Sequence, residues 1–169
     1  MKNSERDQDF ESFFQAHAEG LRRFGIFLTG DPERGADAAQ EAMARVYRKW
    51  GRIHSGDPNA YARRIVLNLV RGAHRRSLIA HRYRQHESSV ETQPSRSSQV
   101  DDWLEISAAL LELPVMRRAV VVLRFYEDMS EQQISDLLDR PVGTVKSDLH
   151  RGLRKLRELL EEQPVKGRK

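Results

Sequence analysis

The sequence contains no cysteine, which excludes a disulfide framework and any thiolate metal site. It also lacks an apolar run near the roughly 18 residues that a membrane helix needs. The N-terminal residues, Met1-Lys-Asn-Ser-Glu-Arg-Asp-Gln-Asp9, are polar and acidic and have no signal-peptide core. No membrane association and a cytoplasmic location are therefore expected. Aromatic residues are scarce, at 7%, and hydrophobic residues reach only 38% against 32% charged. Small helical domains suit that balance better than a large buried sheet. No H-E-x-x-H or other metal-ligand spacing joins His17, His54, His74, His81, His86 and His150, and no glycine-rich phosphate loop is present. No catalytic residue, metal ligand or cofactor is assigned.

One more absence is local. Between Pro58 and His86 there is no Asp or Glu, while seven arginines occur: Arg63, Arg64, Arg71, Arg75, Arg76, Arg82 and Arg84. A helix charged this one-sidedly repels itself unless an anion lies alongside, and nucleic-acid phosphates fit that need. A merely solvated face usually mixes both signs. The net charge of +4 is modest, so its distribution carries the signal. Tyr61 and Tyr83 offer rings for stacking on unpaired bases; simple core packing is the alternative for each.

The 169 residues divide at a polar stretch. Residues 85–101 hold one Pro, five Ser and only two aliphatic side chains. Such a segment buries too little to offset its ordering entropy, so a flexible linker is expected over 85–102. About 17 such residues reach on the order of 20–25 Å root-mean-square. The domains are expected at 1–84 and 103–169, and no further domain is expected after Glu162.

Both halves read as helical, and the fold class expected is all-α: two small helical domains, the second a helix-turn-helix. In the first, Phe10, Phe13, Phe14, Leu21, Phe24 and Leu28 predict a helix over 9–29, stopped by Gly30. Asp31-Pro32 and Asp57-Pro58 each combine an N-cap with proline at the first helical position. The helices that follow run to about 50, with Ala39, Met43, Val46 and Trp50 inward, and to about 84, with Tyr61, Ile65, Leu69 and Leu78 inward. In the second half, helices are expected over 103–113 and 114–126. Ser130 with Gln133 matches a capping box, so another starts at Ser130. Asp139-Arg140-Pro141 breaks it. From Val142 a final helix carries Val145, Leu149, Leu153, Leu156 and Leu160 inward, ends at 161–164 and leaves 165–169 as a frayed tail.

The last two helices and their tight turn are laid out as a helix-turn-helix, whose second helix enters the DNA major groove. That helix carries Lys146, His150, Arg151, Arg154, Lys155 and Arg157. Thr144, Lys146, Ser147, Asp148 and Arg151 occupy its first turns, where base edges are read. Arg and Lys suit guanine acceptors and phosphates. Asp37, Gln40 and Glu41 differ in kind. Helical spacing sets them on one side, as exposed charges, as an acid-amide patch for a basic partner, or as a carboxylate pair for metal chemistry.

In this order and spacing the motifs resemble an extracytoplasmic-function (ECF) sigma factor of bacterial RNA polymerase, over roughly residues 9–84 (region 2) and 103–160 (region 4). Leu28-Thr-Gly-Asp31 with Asp37-Ala-Ala-Gln-Glu41 resembles the polymerase-binding segment. Asn59-Ala-Tyr-Ala-Arg-Arg-Ile-Val-Leu-Asn-Leu69 resembles the segment that reads and melts the −10 element. Leu113-Pro114, the stretch from Val122 to Glu131, and Val142-Gly-Thr-Val-Lys-Ser147 with Leu149-His-Arg151 resemble the −35 reader. The resemblance implies a promoter-specificity subunit that is not itself an enzyme. It places Asp37, Gln40 and Glu41 on the clamp helices of the polymerase beta-prime subunit, with the beta flap as a further contact. It sets Tyr61, Arg64 and Asn68 on −10 DNA, where Arg63, Arg71, Arg75 and Arg76 add charge, and residues 51–59 around a flipped base. It sets Thr144, Lys146, Ser147 and Arg151 on −35 DNA, with Asp148, His150 and Arg154 on the same helix. Promoter DNA, core RNA polymerase and, as in many members of the family, an anti-sigma factor are the implied partners.

Three positions depart from the family pattern: Gly72 where Asp is common, Asp139-Arg140-Pro141 in place of a Gly-x-Ser turn, and Asp148 where Arg is frequent. A carboxylate at 148 repels phosphate but accepts from cytosine N4, so an unusual −35 preference is expected. Two other readings stay open on the residues alone. A dimeric helix-turn-helix regulator acting without polymerase explains the C-terminal half only. A metal-dependent nuclease built on Asp37 and Glu41 predicts magnesium-dependent cleavage.

Overall fold

Asp31 shows how the local chemistry sets the helices. Its carboxylate accepts from the backbone N–H groups of Glu33 and Arg34 at 2.9 and 3.0 Å, and Pro32 follows in the first turn. Two orphan donors are thereby satisfied where α2 begins. The structure is a computed structural model that describes residues 3–84 and 101–161. The expected linker lies outside the described residues up to 100, as do the tail and the side chains of Tyr83, Arg82 and Arg84. Every described element is a helix: α1 Asn3–Thr29, α2 Pro32–Ile53, α3 Pro58–Arg84, α4 Asp101–Leu111, α5 Val115–Phe125, α6 Glu131–Leu138 and α7 Val142–Glu161. The chain divides into two compact units, Met1–Ser95 and Arg96–Lys169.

In the first unit, α1 starts six residues before its expected position. Arg6 Nη2 donates to the Tyr47 carbonyl at 2.9 Å, and the Tyr47 hydroxyl donates to Asp7 at 2.9 Å. Tertiary partners on α2 thus extend a helix that its own apolar period does not reach. The phenol of Tyr47 is held above its usual pKa, chiefly by this bond to Asp7. At the other end Gly30 takes φ 69 and donates to the Ile26 carbonyl at 2.7 Å, the left-handed stop that glycine adopts without strain. The stripe of α2 is as expected: Ala39, Met43, Val46 and Trp50 are buried, joined by Gly35 and Ala42.

Gly25 and Gly35 bring α1 and α2 into backbone contact. A Cβ on Gly25 would lie 2.5 Å from the Gly35 carbonyl oxygen, and one on Gly35 2.5 Å from the Ile26 nitrogen. Asp57 caps α3 through the Ala60 N–H at 2.8 Å. The buried face of α3 holds Ala62, Ile65, Val66, Leu67 and Val70 and then stops. Leu78, expected inward, is 54% exposed, beside Ile79 at 49%. From Arg71 to Ile79 every residue but Gly72 is exposed, so this part of α3 stands clear of the core. Gly72 sits where helix propensity alone decides. A Cβ there would meet only the flexible Arg76 Nη1, at 3.4 Å. Gly72→Ala is expected to stabilise the first unit by about 1 kcal/mol, seen as a rise of a few degrees in thermal melting.

In the second unit, α4 starts at Asp101, two residues inside the expected linker. Its C-terminal carbonyls are closed by a buried arginine: Arg118 donates from Nε to Leu110 O at 2.8 Å and from Nη2 to Leu111 O and Leu113 O at 2.9 and 3.0 Å. The capping box of α6 is complete. Ser130 Oγ accepts from Gln133 N at 3.2 Å, and Gln133 Oε1 accepts from Ser130 N at 2.8 Å. Asp139 ends α6 in the left-handed region, φ 52. The turn is then tied twice to α6, since Arg140 N donates to Ser135 O and Ser135 Oγ donates to Arg140 O.

On α7 the expected stripe is only half right. Val145 is fully buried and Leu149 and Leu156 partly so, but Leu153 and Leu160 are exposed. Gly152 takes the inward place at the crossing with α5, where a Cβ would lie 2.8 Å from Val121 Cγ2. The apolar face therefore runs 145, 149, 152, 156, rotated by one residue from the leucine period.

Candidate functional site

Three surfaces carry the residues singled out by sequence. On α2, Asp37 and Gln40 are exposed and Glu41 is half-buried. Glu41 Oε1 accepts from Arg45 Nε at 2.7 Å, with Arg48 Nη2 at 3.5 Å. The Arg45 hydrogen bond holds the Glu41 carboxyl below the usual carboxylate range. Gln40 stands at the edge of a groove of about 540 Å³ between α1 and α2. Phe10, Phe14, Ala36, Met43 and Tyr47 line it, and Phe14 and Tyr47 keep 45% and 40% of their surface exposed. Sequence periodicity sets Phe14 in the core. Its position at the groove shows only once α1 and α2 are crossed. An apolar trough whose polar lining is Arg22 and Gln40 suits a helix that brings an apolar face.

On α3, Tyr61, Arg64, Asn68, Arg71 and Arg75 recur at helical spacing along one side, with Arg76 adjacent. All but Tyr61 are exposed. The Tyr61 ring is half-buried, and Lys49 Nζ stands 5.6 Å from its centroid, adding a cation from the end of α2. The structure corrects Arg63. It is only 8% exposed, and its guanidinium donates to the Asn59 side chain one turn back. It belongs to the packing of α3, and its charge is not on the basic stripe. The expected base-capturing stretch, 51–59, is mostly helix: 51–53 close α2, Pro58 and Asn59 open α3, and the turn proper is 54–57. His54 Nδ1 donates to Trp50 O at 2.9 Å, which fixes the ring at that turn.

On α7, Lys146, His150, Arg151 and Arg154 are exposed, and Thr144 and Ser147 are half-buried. Lys146 Nζ lies 3.7 Å from Glu131 across the turn, an exposed pair of little energetic weight. The structure also corrects Asp148. Its side chain is 15% exposed; Oδ2 accepts from Arg140 Nη1 at 2.7 Å, and Oδ1 lies 3.7 Å from Arg117 Nε. A carboxylate with its lone pairs turned to two cations inside the unit is not presented to cytosine N4.

Among the described residues no cluster of His, Asp and Glu is placed to hold a metal ion, and no described helix is long and apolar enough to cross a membrane.

Comparison with known proteins covers both halves. Residues 13–78 match the family model for sigma-70 region 2, and residues 103–156 the model for sigma-70 region 4. The chain is 33% identical over 168 residues to the RNA polymerase sigma-E factor of Streptomyces avermitilis, covering 95% of this chain and 89% of that one. It is 30% identical over 160 residues to the ECF RNA polymerase sigma factor SigL of Mycobacterium tuberculosis, covering 91% and 90%. Among solved structures, the sigma factor RpoE of Bartonella quintana, crystallised with the anti-sigma factor NepR, shares the fold at a TM-score of 0.73. That match has 21% identity and covers 93% of this chain and 99% of that one. The chain belongs to the sigma-70 family, and within it to the ECF sigma factors of bacterial RNA polymerase.

Proposed function

We propose that this sigma factor joins core RNA polymerase through α2 and divides promoter reading between α3 and α7. Residues 1–84 act as region 2, 103–169 as region 4, and 85–102 as the tether between them. Asp37, Gln40 and Glu41 meet the beta-prime clamp helices, Gln40 from the edge of the α1–α2 groove, and the second unit meets the beta flap. Tyr61, Arg64, Asn68, Arg71, Arg75 and Arg76 follow the melted −10 strand, where phosphates answer the charge of α3 and the Tyr61 ring can stack on an unpaired base. Thr144, Lys146, Ser147, His150, Arg151 and Arg154 face the −35 duplex. The chain carries no chemistry of its own in this reading; polymerase makes the bonds, in the cytoplasm. An anti-sigma factor is the expected inhibitory partner.

The observation that carries the reading is the exposed, acid-free stripe of α3 in the same unit as the exposed Asp37 and Gln40 of α2. A dimeric repressor needs neither. The test is a pull-down with purified core polymerase, comparing wild type with Gln40→Ala/Glu41→Lys, followed by run-off transcription on genomic fragments. Wild type is expected to be retained and to open new start sites. The variant, still helical by circular dichroism, is expected to lose at least tenfold in retention, the ~1.4 kcal/mol that losing one charged contact readily costs. Absence of polymerase binding together with tight binding to palindromic duplex would favour the dimeric regulator.

A further inference from the structure

Asp148 joins three parts of the second unit. Arg140 comes from the turn, Arg117 from the first turn of α5, and Asp148 itself from α7. The backbone of Arg140 is tied to Ser135 in both directions, so its side chain starts from a fixed point. The stem of Arg117 is wedged at the helix crossing, where a Cβ on Gly152 would lie 3.2 Å from Arg117 Cγ. Both cations therefore reach Asp148 from anchored positions. The Arg140 side chain keeps 33% of its surface exposed, at the turn leading into a recognition helix. In a helix-turn-helix the first helix crosses the DNA backbone and the start of the second reads base edges, so the turn between them stands close to DNA. A cation there adds phosphate affinity without sequence information.

We infer that Asp148 is a positioning residue that, with Arg117 packed behind it, holds Arg140 away from DNA phosphates, and so sets how sharply α7 separates its −35 site from other duplex. With Asp148 in place, the charges open to DNA on α7 are chiefly Lys146, Arg151 and Arg154, set among groups that read base edges. Without it, the Arg140 cation at the turn becomes available to a phosphate. The inference rests on the assignment of α7 to the −35 duplex. It also joins two departures from the family pattern into one unit, since the arginine in the turn and the aspartate in the helix are partners.

The test uses holoenzyme assembled from core polymerase and the full chain. Two probes serve: a duplex selected by wild-type holoenzyme from a pool randomised at the −35 site, and a scrambled duplex of the same composition. Affinities are measured over a range of potassium chloride concentrations. Asp148→Asn is expected to steepen the salt slope by about 0.9, for one further phosphate neutralised. It is expected to tighten binding to the scrambled duplex roughly tenfold, and the selected duplex less, so that discrimination falls. Adding Arg140→Gln to Asp148→Asn is expected to return the slope most of the way to wild type. An unchanged slope with weaker binding to both probes and a lower melting temperature would mean a structural role only and overturn the inference. So would an unchanged slope with altered preference at one base pair, the mark of direct base reading. Lys146→Ala/Arg151→Ala separates the two levels. If that variant binds the selected duplex like wild type, the −35 assignment itself fails and takes the inference with it; if it loses binding while Asp148→Asn leaves the slope unchanged, only the inference fails.

Discussion

Gly35→Ala is expected to destabilise the first unit by roughly 3 kcal/mol and, with it, to weaken polymerase capture. A methyl at Gly35 would sit 2.5 Å from Ile26 N and 2.7 Å from Ile26 Cα and Cγ1. Two of these atoms are backbone and cannot rotate away, so α1 and α2 must separate. Overpacking ordinarily costs about 1–3 kcal/mol, and a clash against main chain belongs at or above the upper end. Alanine favours a helix over glycine by at most about 1 kcal/mol, too little to reverse the sign. A loss of roughly 3 kcal/mol is a large part of the 5–15 kcal/mol that stabilises a typical domain. The separation would also open the groove at Phe14 and Tyr47 and displace Gln40 from its rim. Gly20→Ala is the control, because nothing lies within 4 Å of a Cβ there, and it should leave melting unchanged or slightly raised. Circular dichroism melts and polymerase pull-down on both variants decide. Wild-type behaviour of Gly35→Ala would mean that α1 and α2 do not touch at this point in solution.

Much of this architecture is written locally. Asp31, Asp57, Ser130 with Gln133, Gly30 and Asp139 act within a few residues of themselves, so the ends of α2, α3 and α6 follow from spacing alone. What escaped the sequence depends on partners far along the chain. Arg63 and Arg64 are adjacent and identical in type, yet one is buried and the other exposed, and only the direction of the α3 core separates them. Leu153 belongs to a leucine period that reads inward, but the tight approach of α5 gives Gly152 that place and turns Leu153 outward. Leu78 continues a period whose core has already ended at Val70. Asp148 reads as a base-contacting residue on helical spacing and becomes an internal acceptor because Arg140 and Arg117 converge on it. Apolar and charged residues are both among those misread, for different reasons. Period gives the spacing of an apolar face but not where its core ends or how a close helix crossing turns it, whereas the fate of a charge is decided by whether an acceptor or a counter-charge is folded against it.

Arg118 makes that point with the largest consequence for promoter reading. Arg118→Met is expected to destabilise the second unit by roughly 3 kcal/mol, the cost of leaving three carbonyls without their donor, less what the methionine regains. Its guanidinium closes the carbonyls of Leu110, Leu111 and Leu113. Leu110 and Leu113 are themselves buried, at 4% and 2%, so water does not readily replace the lost donors. Each abandoned carbonyl costs about 1–3 kcal/mol, partly offset because methionine fills the space of the aliphatic stem. The corner between α4 and α5 then opens, and α5 is the element against which Gly152 seats the recognition helix. The function should therefore split. Pull-down through the α2 rim is expected to survive in part, because the first unit has its own core, while run-off from promoters that need the −35 site falls by at least tenfold. Arg118→Lys should land between, since a single ammonium lacks the planar fork that spans three carbonyls. If Arg118→Met instead melts as wild type does and keeps −35-dependent transcription, the α4–α5 corner must hydrate freely, and the buried arginine is not what holds the reader of the −35 site in place.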